Sequence, residues 1–161
     1  MLEYYKNPDA TKDFFYEDHN GIKWSRTGDI GYINTDGSLV VLGRKEDRSI
    51  INEVQIYNFD IERAFLESEK IKLCEVQTHP SDDEKLIAHI VWENSVAAYL
   101  RLHPELLDKY LKELKVLVNK KLNVPEAVPN CFRIWDAFPS ASSGKRDIAF
   151  IKSQTDNLIE A

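Results

Sequence analysis

Apolar and polar positions alternate with two different periods along this chain, and the change of period marks its elements. Residues 1–28 show neither period: Tyr4, Tyr5, Phe14, Phe15, Tyr16 and Trp24 are scattered among Asn, Asp and Lys, which predicts irregular structure with short turns. Ile30, Tyr32 and Ile33, then Thr35-Asp36-Gly37-Ser38, then Leu39–Leu42 form two β-rich runs around Asp-Gly, the pattern of a hairpin. Gly43-Arg44-Lys45-Glu46-Asp47 interrupts the apolar pattern with charge and is the expected domain boundary, dividing 1–43 from 44–161. Ile50–Tyr57 reads as one strand. A helix of two to three turns follows over Phe59, Ile61, Ala64, Phe65 and Leu66, with Asn58 as its expected N-cap. Strands are predicted at 72–78 and 86–92, joined by a turn at Pro80–Asp83.

Leu107, Leu111, Leu114, Val118 and Leu122 recur at spacings of three and four, predicting an amphipathic helix over 105–122 with Pro104 in its first turn. Pro125 and Pro129 end the helical region. Cys131–Phe138 reads as a last strand before a loop of small residues, Pro139–Gly144, which leads into Lys145-Arg146-Asp147. Strands and helices mixed in this order predict an α+β fold with a short central sheet flanked by helices.

The 161 residues are 43% hydrophobic and 30% charged, enough apolar surface for a core and too much for a disordered chain. A net charge of −6 argues against a nucleic-acid-binding surface, which needs clustered Lys and Arg, but leaves room for a local nucleotide site. Cys74 and Cys131 each lie in an apolar run with no Cys-x-x-Cys or His cluster nearby, so they read as small buried hydrophobes, with no metal site implied. His19, His79, His89 and His103 are scattered and carry no catalytic assignment. With no signal peptide and no apolar run long enough to span a membrane, the expected location is the cytoplasm.

Four short segments have chemistry to offer. In Thr27-Gly28-Asp29 a carboxylate beside a glycine suits a ribose diol. In Gly43-Arg44-Lys45-Glu46-Asp47 an arginine fork suits ribose or phosphate oxygens. Ser143-Gly144-Lys145 places an ammonium on a glycine hinge, where it can meet a phosphate or carboxylate oxygen. Asn7-Pro8-Asp9-Ala10-Thr11, after Tyr4-Tyr5, is a capped turn. Each alone is an ordinary turn or solvated loop.

In this order and spacing, Tyr4–Thr11, Arg26–Tyr32, Asp36-Gly37, Gly43–Asp47 and Ser143–Asp147 resemble the superfamily of acyl-CoA synthetases, firefly luciferase and peptide-synthetase adenylation domains, over nearly the whole chain. The resemblance implies that residues 1–43 are the tail end of a large N-terminal adenylation domain, ending in the hairpin, and that 44–161 are the small mobile C-terminal domain. It implies that Asp29 binds the ribose hydroxyls of ATP, that Arg44 contacts ribose or phosphate, that Glu46 falls at the hinge, and that Lys145 bridges substrate carboxylate and α-phosphate oxygens as the acyl-adenylate forms. Implied partners are ATP with Mg2+, a carboxylic acid, coenzyme A or a carrier protein's phosphopantetheine, and the N-terminal adenylation domain, whose phosphate-binding loop and acyl pocket are not in this sequence. Met1 aligns with an internal methionine of the family, so the chain is expected to be a piece of a longer protein and inactive alone.

Three departures stand out. Glu3 replaces a usual Gly. Ala141 and Ser142 replace the Thr and Pro usual before the lysine, with a small expected effect on loop stiffness. Glu53 replaces the Gly that coenzyme A ligases carry where the pantetheine arm passes; a charged side chain there would obstruct the tunnel, unless the local backbone differs and Glu53 points to solvent. Two other readings stay open: an accessory module acting in trans on an adenylation core or carrier protein, and a non-catalytic relative.

Overall fold

The computed structural model describes residues 3–161, so Met1 lies outside it. The chain divides into two units, Met1–Glu46 and Asp47–Ala161. In the first, helix α1 (Pro8–Phe14) starts where Asn7 Oδ1 accepts the Ala10 amide and Pro8 occupies the first turn. Strands β1 (Phe15–Glu17) and β2 (Lys23–Ser25) pair antiparallel. The turn between them closes on Asp18, whose carboxylate accepts the amides of Asn20 and Ile22 and the Trp24 indole N–H. This segment, expected to be irregular, is thus ordered by side-chain caps, which leave no periodic trace.

The expected hairpin is present as β3 (Asp29–Ile33) and β4 (Leu39–Arg44). Gly31 is required there, since a Cβ at that position would lie 2.4 Å from the Val40 carbonyl oxygen. The division between units falls after Glu46, beyond the expected Gly43/Arg44 break. Arg44 still pairs with Asp29 across the hairpin, and the Lys45 amide donates to the Gly28 carbonyl. None of the described residues of this unit is buried.

The second unit opens with β5 (Arg48–Ile51) and β6 (Val54–Tyr57), an antiparallel pair. The single strand expected over 50–57 is therefore a hairpin. Asn52 and Glu53 form its two-residue turn, both with left-handed backbone at φ +48° and +67°. Helix α2 (Asn58–Leu66) follows, but Asn58 is its first helical residue and not its cap. The Asn58 side chain is buried, and its Oδ1 accepts the Ser49 hydroxyl at 2.8 Å.

Then come β7 (Ile71–His79), β8 (Asp82–Trp92), α3 (Asn94–Leu102), α4 (Leu107–Leu122), β9 (Cys131–Trp135), α5 (Ile148–Ser153) and β10 (Ile159–Glu160). β7, β8, β9 and β10 form one sheet in the order β10-β9-β8-β7, with β8 and β9 parallel and the outer pairs antiparallel. A parallel neighbour needs a crossover, which α3 and α4 supply. The fold is α+β, a small central sheet with helices around it, as the sequence predicts.

β8 is buried along Leu86–Trp92, so both faces of the sheet are covered there. Its even positions, Leu86, Ala88, Ile90 and Trp92, enter the main core with Ile61 and Phe65 of α2 and Leu111, Leu114 and Val118 of α4. On the opposite face Val91 packs with Phe138 and Ile151. Those last two residues bracket the lysine loop, fixing both of its ends to the sheet.

Candidate active site

Asp29, Arg44 and Glu46 meet at one corner of the first unit. The register of β3 and β4 sets Asp29 opposite Arg44, and Arg44 Nε lies 3.1 Å from Asp29 Oδ1. Arg44 Nη1 also donates to the Thr27 carbonyl at 2.7 Å. Gly28 turns with φ +77°, and a Cβ there would lie 3.4 Å from a Glu46 carboxylate oxygen. The Asp29–Arg44 pair is solvent-exposed, and such pairs are worth about 0–1 kcal/mol. A ligand offering hydroxyls to the acid or a phosphate to the arginine displaces the pair at little cost.

Lys145 and Glu53 lie in the second unit, on separate turns with no hydrogen bond or ion pair between them among the described residues. The lysine loop is closed by its own backbone: Ala141 N–H donates to the Lys145 carbonyl, Gly144 N–H to Ala141 and Asp147 N–H to Pro139. Ser140 and Arg146 form an isolated antiparallel bridge. Gly144 takes φ +78°, with open space where a Cβ would stand. Asp147 caps α5 by accepting the Phe150 amide. Lys145 is exposed and forms no ion pair among the described residues. The loop thus presents one free ammonium on an ordered turn.

Glu53 is exposed and occupies the second position of the β5–β6 turn. Two-residue turns with left-handed backbone at both positions favour glycine there, because a Cβ crowds the following carbonyl. Glu53→Gly is therefore expected to stabilise the unit by about 0.5–1 kcal/mol, net of glycine's entropy in the unfolded chain. Urea midpoints of the two proteins check this; an unchanged or lower midpoint in the variant shows the turn to be unstrained.

No local pattern announces the ionic cluster behind the lysine loop, because its members, Asp47, Glu62, Glu75, Arg146 and Lys152, are scattered along the chain. Glu62 of α2 accepts the Val76 amide at 2.8 Å. Burial, reinforced by the charge of Glu75, pushes its carboxyl up to about 7. Burial likewise raises the Glu75 carboxyl, against the attraction of Arg146 and Lys152. Asp47 pairs with Lys152 of α5. Nearby, the fully buried His89 accepts the Trp135 indole N–H at 3.2 Å and sits 3.2 Å from the Gln77 amide nitrogen. Burial, with Arg133 and Lys152, holds its imidazole down to about 4, so it is a neutral tie between strands.

Glu62 gives the cluster a pH signature. Its folded pKa of about 7 lies above the unfolded 4.5, so the native state holds the extra proton between those values. Stability from this group is complete at low pH and is lost as pH rises towards 7. Glu62→Gln keeps an acceptor for Val76 and removes the titration. Relative to the parent, the variant should gain on the order of 3 kcal/mol between pH 4.5 and 7.5. Denaturant titrations across that range measure it, and a constant difference would mean that Glu62 titrates normally.

No family profile matches the chain. A 2-succinylbenzoate–CoA ligase of Oceanobacillus iheyensis is 32% identical over 119 residues, 70% of this chain and 22% of that protein. Another from Bacillus licheniformis is 30% identical over 145 residues, 90% of this chain and 27% of that protein. The chain thus spans about a quarter of the length of these curated relatives. The solved o-succinylbenzoate coenzyme A synthetase (MenE) of Bacillus subtilis, in complex with AMP, shares the fold with a TM-score of 0.69 at 24% identity, covering 100% of this chain and 29% of that one. Motif order, sequence relatives and fold converge, and the chain belongs to the adenylate-forming (AMP-binding) enzyme superfamily, corresponding to its C-terminal portion.

Proposed function

We propose that the chain is the lysine-bearing C-terminal part of an ATP-dependent carboxylate–AMP ligase of the cytoplasm. The observation that carries this reading is the lysine loop: a free ammonium on a turn shaped by its own backbone and bracketed by Phe138 and Ile151. In acyl-adenylate formation a carboxylate oxygen attacks the α-phosphorus of ATP and pyrophosphate leaves. Negative charge concentrates on the phosphoryl oxygens in the transition state, where a positioned ammonium contributes most. Lys145 supplies that charge. Asp29 accepts hydrogen bonds from the ribose hydroxyls, and Arg44, released from Asp29, donates to ribose or phosphate oxygens. Mg2+ would arrive with the nucleotide. Glu46 is the hinge about which the second unit turns between the adenylating and acyl-transferring poses.

The second half-reaction passes the acyl group to the thiol of coenzyme A or of a carrier protein's phosphopantetheine. Glu53 stands at the mouth of the pantetheine path, and its side chain and charge oppose a phosphate-bearing arm, subject to screening by salt. Adenylation then runs normally while transfer is slow. Glu53→Gly should speed transfer by about tenfold, a barrier change of ~1.4 kcal/mol, and leave adenylation unaltered. Single-turnover measurement of both steps in the ligase tests this. Fast transfer in the parent, or no gain in the variant, leaves Glu53 as a surface turn residue.

A further inference from the structure

Arg146 directly follows Lys145 but turns to a different task. Its Nη1 lies 2.8 Å from Glu75 Oε1, and the Glu75 side chain is only 7% exposed against 47% for Arg146. Glu75 belongs to β7, between the buried Cys74 and Val76 and opposite His89 of β8. A carboxylate at that depth needs a cation, since an unpaired buried charge is strongly unfavourable. Lys152, the other cation of the cluster, is engaged by Asp47, and Glu62 adds a further acid from α2. Arg146 is thus the ion-pair partner of Glu75 among the described residues.

We infer that the Glu75–Arg146 ion pair anchors the lysine loop to the central sheet, and that both are positioning residues for the step Lys145 performs. The loop's backbone hydrogen bonds run between its own residues. They fix the shape of the turn and leave its attitude to the sheet undetermined. Phe138 and Ile151 hold the flanking chain. Within the turn itself, Arg146 is the residue whose side chain reaches the sheet. The pairing also neutralises one of two adjacent cations, so a phosphate meets a single defined ammonium. The inference rests on Lys145 being the adenylation residue, and its test separates the two.

Arg146→Gln, Glu75→Gln and Arg146→Lys are compared by amide exchange in this chain and by kinetics in the ligase. Both Gln variants should accelerate exchange at Ala141, Gly144 and Asp147 about tenfold or more, with the buried amides of β7 and β8 changed less than about twofold. Arg146→Lys should retain most of the protection. In the ligase, Arg146→Gln should lower kcat for adenylation about tenfold with the KM for ATP nearly unchanged, and Arg146→Lys should recover most of it. Parental loop exchange in the Gln variants, or equal acceleration of loop and core, overturns the anchor. If Lys145→Ala abolishes adenylation while Arg146→Gln changes neither loop exchange nor kcat, the anchor fails and the role of Lys145 stands. If the loop loosens as expected but adenylation survives both Arg146→Gln and Lys145→Ala, the anchor stands and the role of Lys145 fails.

Discussion

Replacing Lys145 with Ala in the ligase is expected to slow acyl-adenylate formation by about two to three orders of magnitude, the scale for losing one group that stabilises developing charge. The melting temperature should not move. Lys145 is exposed, forms no ion pair among the described residues, and contributes to the loop's hydrogen bonds only through its carbonyl, which alanine keeps. The loss should fall on kcat and kcat/KM together, because the interaction forms in the transition state and not with bound ATP. Transfer from preformed acyl-adenylate should be unaffected. A fall in melting temperature that tracks the activity would instead make Lys145 a structural residue.

Comparable in size is the expected contrast between the two units in the isolated chain. Residues 47–161 hold the whole buried core, with both faces of β8 covered. Residues 3–46 contain no buried residue, and Tyr32, Ile33, Leu39 and Val41 of the β3–β4 hairpin are exposed. A lone two-stranded hairpin is marginal in water. Amides of β7 and β8 should therefore exchange only through global unfolding, at least about a thousandfold more slowly than those of β3 and β4. Equal protection in both segments would show that the first unit is stable without further covering. It would also remove the reason for expecting the hairpin to be completed by an N-terminal adenylation domain.

What could be read from the sequence depended on whether a signal was local. The β3–β4 hairpin was legible because Asp36-Gly37 announces its turn, and α4 because five apolar residues keep a helical spacing. The β5–β6 hairpin was not, since Asn52-Glu53 lacks the glycine that would mark a left-handed turn, and the flanking β-branched residues read as one strand. Asn58 is a residue type suited to a cap, but its side chain is engaged by the Ser49 hydroxyl across the hairpin. α5 spans only six residues, and in the nine of α3 Leu100 alone is buried, so neither offers a long apolar stripe. For the site, the motif residues could be listed from sequence, while their partnerships could not. That Asp29 faces Arg44 follows from strand register. That Glu75 holds Arg146 follows from tertiary packing alone, for nothing near Glu75 distinguishes it from a solvent-facing strand residue.

ATP–pyrophosphate exchange tests the account most directly, measured with carboxylic acids on three samples: the ligase proposed to contain this chain, that ligase carrying Lys145→Ala, and residues 1–161 alone. The predicted result is exchange by the first, a rate lower by about two to three orders of magnitude in the second, and none in the third, because the proposed function leaves the acyl pocket and most of the phosphate contacts to an adenylation domain outside these residues. Robust exchange by the isolated chain, or equal rates with and without the Lys145 ammonium, would contradict it.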